Sequence, residues 1–220
     1  MNAGRGEPSC GWGELLLVVA VAFGLPIYSG TMAVLAPSVE PSFSDASLWW
    51  MVCYELLLLA VLLPVLWFRG WTPQALGLQW QVRDLRAGLG LLAACMLATY
   101  TWRLLSAGAA ADAPAIDGMV AGRLSIAAVL AVSLLNPVFE EVFVCGYVIR
   151  ALERRHSQAF AVNVSVAIRG AYHLYLGATG AICILLVGLI LGWWVARTRR
   201  LWPAIVAHGA LDLLGLAVYV

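Results

Sequence analysis

The chain has 220 residues, 63% of them hydrophobic and only 11% charged, with a mean hydropathy of +0.90 and a net charge of +1. An ordinary soluble domain carries about 25% charged residues, and a water-soluble globule needs more polar surface than this chain offers. Disorder needs low hydrophobicity and high charge and is excluded from the opposite side. The near-neutral balance provides no field for nucleic acid, so the chain reads as an all-α polytopic membrane protein with the lipid bilayer as its main solvent.

A helix that spans the bilayer needs about 20 mostly apolar residues. Backbone groups in lipid must bond internally, which selects helices. In chain order the stretches 15–35, 48–68, 87–106, 124–149, 158–176, 180–196 and 203–220 meet that requirement. No repeat or linker interrupts them, and 1–220 is read as a single integral membrane domain. A cleaved signal peptide is the rival reading of 15–35, but the apolar run is long for one and no A-x-A site follows. Pro26, Pro64 and Pro137 are expected to kink their helices. Gly188 and Gly192 form a G-x-x-x-G expected to serve close helix packing. The segment 70–86 is amphipathic in composition and is expected along the membrane surface. Trp12, Trp49, Trp50, Trp67, Trp71, Trp80 and Trp202 fall near span ends, as an aromatic belt should.

All 13 basic residues are arginine, which fits a high-GC genome and a bacterial inner (plasma) membrane. With a cytoplasmic N-terminus, the inner side holds Arg5, Arg69, Arg83, Arg86, Arg150, Arg154, Arg155, Arg197, Arg199 and Arg200. The outer side then holds Glu40, Asp45, Asp112 and Asp117, with Arg103 and Arg123 near its edges. That asymmetry is what the positive-inside rule expects of seven spans with the N-terminus inside. The cysteines Cys10, Cys53, Cys95, Cys145 and Cys183 lack metal-type spacing and read as small apolar residues.

Ionisable residues at membrane depth cost about 2.5–3.5 kcal/mol each on insertion scales, so they mark function by default. The fourth span carries Glu140 and Glu141 in an apolar run, the fifth Arg169 and His173, and the seventh His208 and Asp212. Two adjacent carboxylates in low dielectric cannot both ionise cheaply, and at least one needs a proton or a cationic partner. Asn136 and Glu140, Arg169 and His173, and His208 and Asp212 are each four apart and share a helix face. Three polar stripes that face inward satisfy one another, and the expectation is a buried polar pocket. Glu55 in the second span reads as a structural hydrogen-bond partner. His173 lies about 22 Å along a helix that begins at Gln158, deeper than Glu140 and His208, so either the fifth helix protrudes into the cytoplasm or its boundary lies elsewhere.

A carboxylate beside an imidazole can activate water and pass the proton to a leaving amine, and a second imidazole can stabilise an oxyanion. Neither G-x-S-x-G nor H-E-x-x-H is present. The pair Glu140-Glu141, the aromatic residue before His173 and His208-x-x-x-Asp212 resemble the CPBP family, the CAAX-protease and bacteriocin-processing intramembrane proteases. The resemblance covers about a third of the chain, residues 138–212, within a family-like catalytic region 124–220. It implies a peptide-bond hydrolase with Glu140 as general base, His173 binding the attacking water and His208 stabilising the oxyanion. Glu141 would support Glu140, and Asp212 would orient His208 or stay protonated. The family's first motif has Arg four residues after the second Glu, and here that position is Cys145. The second motif's Phe position is Arg169, which is expected to supply the missing cation from the neighbouring helix. Cys145 as a nucleophile is a weaker alternative. No cofactor is expected, zinc being the alternative that two His and three carboxylates admit. The expected partner is a membrane-tethered protein or peptide substrate. A proton-coupled transporter or channel, and a catalytically inactive scaffold or immunity homologue, are the competing functions.

Overall fold

A computed structural model describes residues 10–36, 43–106 and 116–220. Arg5, Glu40 and Asp112, and the side chain of Asp117, lie outside the described residues. In chain order the helices are α1 (Trp12–Leu35), α2 (Asp45–Phe68), α3 (Arg83–Ser106), the short α4 (Ile116–Met119) and α5 (Ile126–Glu140). A π-helix, Glu141–Ile149, continues α5 directly into α6 (Arg150–Glu153). Then come α7 (Gln158–Tyr172), α8 (Gly177–Thr198) and α9 (Trp202–Leu216). Among the described residues the only extended pairing is one bridge, Phe43 to Val120. Among the described residues six helical segments are long and apolar enough to cross a membrane: Trp12–Leu35, Asp45–Phe68, Arg83–Ser106, Ile126–Glu153, Leu174–Thr198 and Trp202–Tyr219. The seventh expected span is α7, which has 15 residues. The fold is therefore an all-α polytopic bundle.

Polar contacts define its two ends. At one, Glu14 at the start of α1 accepts from Arg69 (2.9 Å), from the Trp71 indole (3.2 Å) and from the Tyr147 hydroxyl (3.2 Å). Asp84 at the start of α3 pairs with Arg200 beyond α8 at 2.5 Å, and Arg199 pairs with Glu153. Cys10, just before α1, lies 3.3 Å from Tyr147 Oη, and burial pushes its thiol up from the ordinary range. At the other end Asp45 accepts from the Ser125 backbone N–H at 2.7 Å. Leu124 N–H there donates to Tyr219 O at 2.8 Å. The start of α2 thus sits beside the start of α5, and the two helices run parallel.

The helix Ile126–Glu153 is the centre of the bundle, and all nine π-helical residues are buried. Pro137 has no N–H to offer the carbonyl four residues back, which frees Ser133 O. A Cβ on Gly209 of α9 would lie 2.7 Å from that oxygen, so Gly209 permits the close crossing that brings neighbouring His208 to α5. The Glu141 N–H is shared between the carbonyls of Pro137 and Val138 where the helix widens. π-helical turns are uncommon and concentrate at functional sites.

Several expectations are corrected. The fifth span ends at Tyr172 rather than 176, because His173 caps α7 and a 3-10 turn, Leu174–Leu176, leads to Gly177 at φ 69°. Trp71 is no belt residue: it is 2% exposed and packs edge-on to Tyr147 at 4.8 Å. Residues 70–82 form a run of turns leading into α3, with Trp71 and Leu76 buried in the core. It draws the start of α9 inward, since Leu201 N–H bonds Gly77 O at 3.0 Å and a Cβ on Gly146 would meet Leu201. His208 therefore lies level with Glu141, with Nδ1 2.8 Å from its carboxylate. The G-x-x-x-G packs α8 on α7 as expected: Cβ atoms on Gly188 and Gly192 would lie 3.2 Å from Arg169 Cδ and Val162 Cγ1.

Candidate active site

Four buried ionisable side chains meet where α5 becomes the π-helix. Glu141 is 0% and Arg169 2% exposed. Arg169 Nη2 donates to Glu141 Oε1 at 2.5 Å, and Nη1 lies 3.9 Å from Glu140 Oε2. From α9, His208 Nδ1 lies 2.8 Å from the same Glu141 oxygen. His208 Nε2 is 4.0 Å from Glu140 Oε2 and 3.6 Å from Asp212 Oδ1. Separation of charges this buried would be costly, and close opposite charges are the arrangement that low dielectric allows. Cys145 Sγ lies 4.0 Å from Arg169 Nη2, so the guanidinium reaches from α7 the space beside Glu141 and Cys145. Its aliphatic stem lies over Gly188, where a side chain would crowd it.

Tyr172, at the end of α7, donates its hydroxyl to Glu140 Oε2 at 2.6 Å. Among the described residues the partners of Glu140 all reach Oε2. His173 is half-buried, with Nδ1 3.0 Å from Arg169 O. A carbonyl only accepts, so Nδ1 carries the hydrogen and Nε2 of the neutral ring is left as an acceptor. The His173 ring packs on Tyr172, with ring centroids 4.6 Å apart. Asp212 accepts from Asn136 Nδ2 at 3.2 Å and is the more open member of the set, its side chain 23% exposed.

Residues 122–214 match the family model described as Rce1-like, type II CAAX prenyl endopeptidase. The chain carries an Rce1-like CAAX-protease domain. No curated protein and no solved structure matches the chain. Glu140, Glu141, Cys145, Arg169, His173, His208, Asp212 and Asn136 all lie inside the Rce1-like domain. Among the described residues no group of three or more His, Cys, Asp or Glu side chains converges as a metal ion would need.

One site contributor was not legible as such. Tyr172 was visible only as an aromatic residue before His173; nothing in the sequence says that its hydroxyl meets Glu140. Its ring stacks on Phe23 of α1 (5.0 Å, 6° between planes), and Phe23 also packs on Phe139 at 5.7 Å. The N-terminal helix therefore buttresses the Rce1-like domain from outside it. Glu55 on α2 is 4% exposed, and among the described residues its Oε2 has no hydrogen-bond partner, where the sequence suggested a structural one. The signal for it was present: it is an ionisable residue within an apolar span.

Proposed function

We propose that the protein is a single-domain intramembrane endopeptidase that hydrolyses a lipid-tethered or membrane-inserted peptide with a glutamate-activated water. The observation that carries this is the meeting of Glu140, Glu141, Arg169 and His208 from three helices within 4.0 Å, inside the Rce1-like stretch. Glu140 Oε1 takes a proton from a water that His173 Nε2 holds as acceptor. The water oxygen attacks the scissile carbonyl carbon. His208, as the imidazolium with Nδ1–H on Glu141, offers Nε2–H to the oxyanion. Glu140 then passes the proton to the leaving nitrogen as the C–N bond breaks, leaving a carboxylic acid and an amine. Arg169 holds Glu141 ionised in place of the family's motif arginine, and Asp212, set by Asn136, orients His208. Catalysis in this scheme uses no metal.

On the arginine asymmetry we place the end holding Arg69, Arg150, Arg154, Arg199 and Arg200 in the cytoplasm, with the N-terminus on that side. A bacterial plasma membrane is inferred from the all-arginine basic set. The test is purified full-length protein in detergent, challenged with N-palmitoylated and C-terminally farnesylated peptides and read by mass spectrometry with and without a chelator. Cleavage that survives the chelator is expected. Proton-driven transport in vesicles with no cleavage overturns the reading in favour of a transporter.

A further inference from the structure

Glu55 belongs to a polar seam that the chemistry above leaves unused. Asp45 and Ser125 are bonded at the shared start of α2 and α5. Glu55 is ten residues beyond Asp45 and Asn136 eleven beyond Ser125. At about 1.5 Å per residue the two lie at one depth, roughly 15 Å in. The buried stripe of α2, Leu48, Val52, Glu55, Leu62 and Leu66, includes the carboxyl. Leu48 and Val52 of that stripe pack on Ala128, Val129 and Val132 of α5, so the face of α2 that carries Glu55 is turned toward α5. On α5, Ser133 is 5% exposed, and its hydroxyl also has no hydrogen-bond partner. Ser133, Asn136 and Glu140 lie on one face, at spacings of three and four. Two buried acceptors on adjacent helices therefore lead toward Glu140 with nothing bonded to them. Leaving one such group unsatisfied costs about 1–3 kcal/mol, which argues against retention for stability alone.

A peptide that is to be cut must present its scissile carbonyl to water, so it must be unwound there. In lipid each backbone N–H freed by unwinding needs an acceptor. We propose that Glu55 Oε2 and Ser133 Oγ form a docking edge that accepts hydrogen bonds from the backbone N–H groups of the extended substrate beside the scissile bond. The ligand class is an unwound peptide segment at membrane depth. This rests on the endopeptidase reading. It gives the chain a substrate-binding residue outside the Rce1-like stretch.

The experiment uses the full-length protein in detergent and the tethered peptide cleaved fastest in the screen above, with copies N-methylated at each amide in turn. Glu55→Leu is expected to raise KM at least tenfold with kcat within threefold, and to leave Tm unchanged or higher. Glu55→Gln keeps an acceptor oxygen and is expected to restore KM. One N-methylated amide is expected to raise KM for wild type but not for Glu55→Leu. An unchanged KM in Glu55→Leu overturns the proposal, as does a large fall in its Tm, which makes Glu55 a structural partner. A Glu55→Gln variant as impaired in kcat as Glu55→Leu also overturns it, in favour of a proton-carrying role. KM effects independent of every N-methyl group point to a bound water instead and likewise overturn it. Absence of cleavage by wild type removes the endopeptidase reading, and this proposal falls with it.

Discussion

The central helix and α2 are both long and apolar, yet they use their carboxyls differently. In Ile126–Glu153, 72% of the span's apolar window is buried inside the protein, against 22% in Asp45–Phe68. The first can hold two adjacent glutamates because α7 and α9 bring Arg169, Tyr172 and His208 to them. The second shows most of its surface to lipid and carries one buried carboxyl, Glu55. A span that protein surrounds can thus hold a charged cluster, whereas a lipid-facing span can spare a single polar position turned inward.

Removing the cation should break this contrast most severely. Arg169→Leu strands Glu141 without its partner, at a cost of about 3–5 kcal/mol for a broken buried pair. A large drop in Tm and loss of cleavage are expected. The double variant Arg169→Leu, Glu141→Leu should regain Tm without regaining activity. Normal folding and turnover in Arg169→Leu would refute the assigned role of the guanidinium. Tyr172→Phe is a smaller change, because it deletes only the 2.6 Å bond to Glu140. A hydrogen bond to a charged group contributes about 1.5–3 kcal/mol, so Tm by calorimetry should fall by several degrees, and kcat should fall at least tenfold because the hydroxyl sets the position of Glu140. Phe23→Leu probes the N-terminal buttress and should do least. It removes the stack on Tyr172, worth about 0.5–1.5 kcal/mol, and a Tm lower by a few degrees is expected with kcat less affected than in Tyr172→Phe.

The helices were legible because a bilayer demands apolar runs of a fixed length. The polar stripes were legible because ionisable residues four apart stand out in such runs. Arg169 beside Glu141 was expected from the cysteine at position 145, and the two side chains do pair. The π-helix was not legible, since its residues are uniformly apolar after Glu141 and carry no period. Trp71 looked like an interfacial residue because sequence shows only its distance from a span end; its burial depends on Glu14 and Tyr147, which come from distant segments. Glu55 could be seen but not placed, because its depth relative to Asn136 is set by the Asp45–Ser125 contact across 80 residues of sequence.

The most direct measurement is single-turnover cleavage of a membrane-tethered peptide by wild type and by Glu140→Gln, with thermal unfolding followed in parallel. With Glu140 as the base, Glu140→Gln should lose roughly a hundredfold or more of the rate, in line with general-base catalysis, while Tm stays within a few degrees. Turnover by a folded Glu140→Gln protein at a rate near wild type would contradict water activation by this carboxylate.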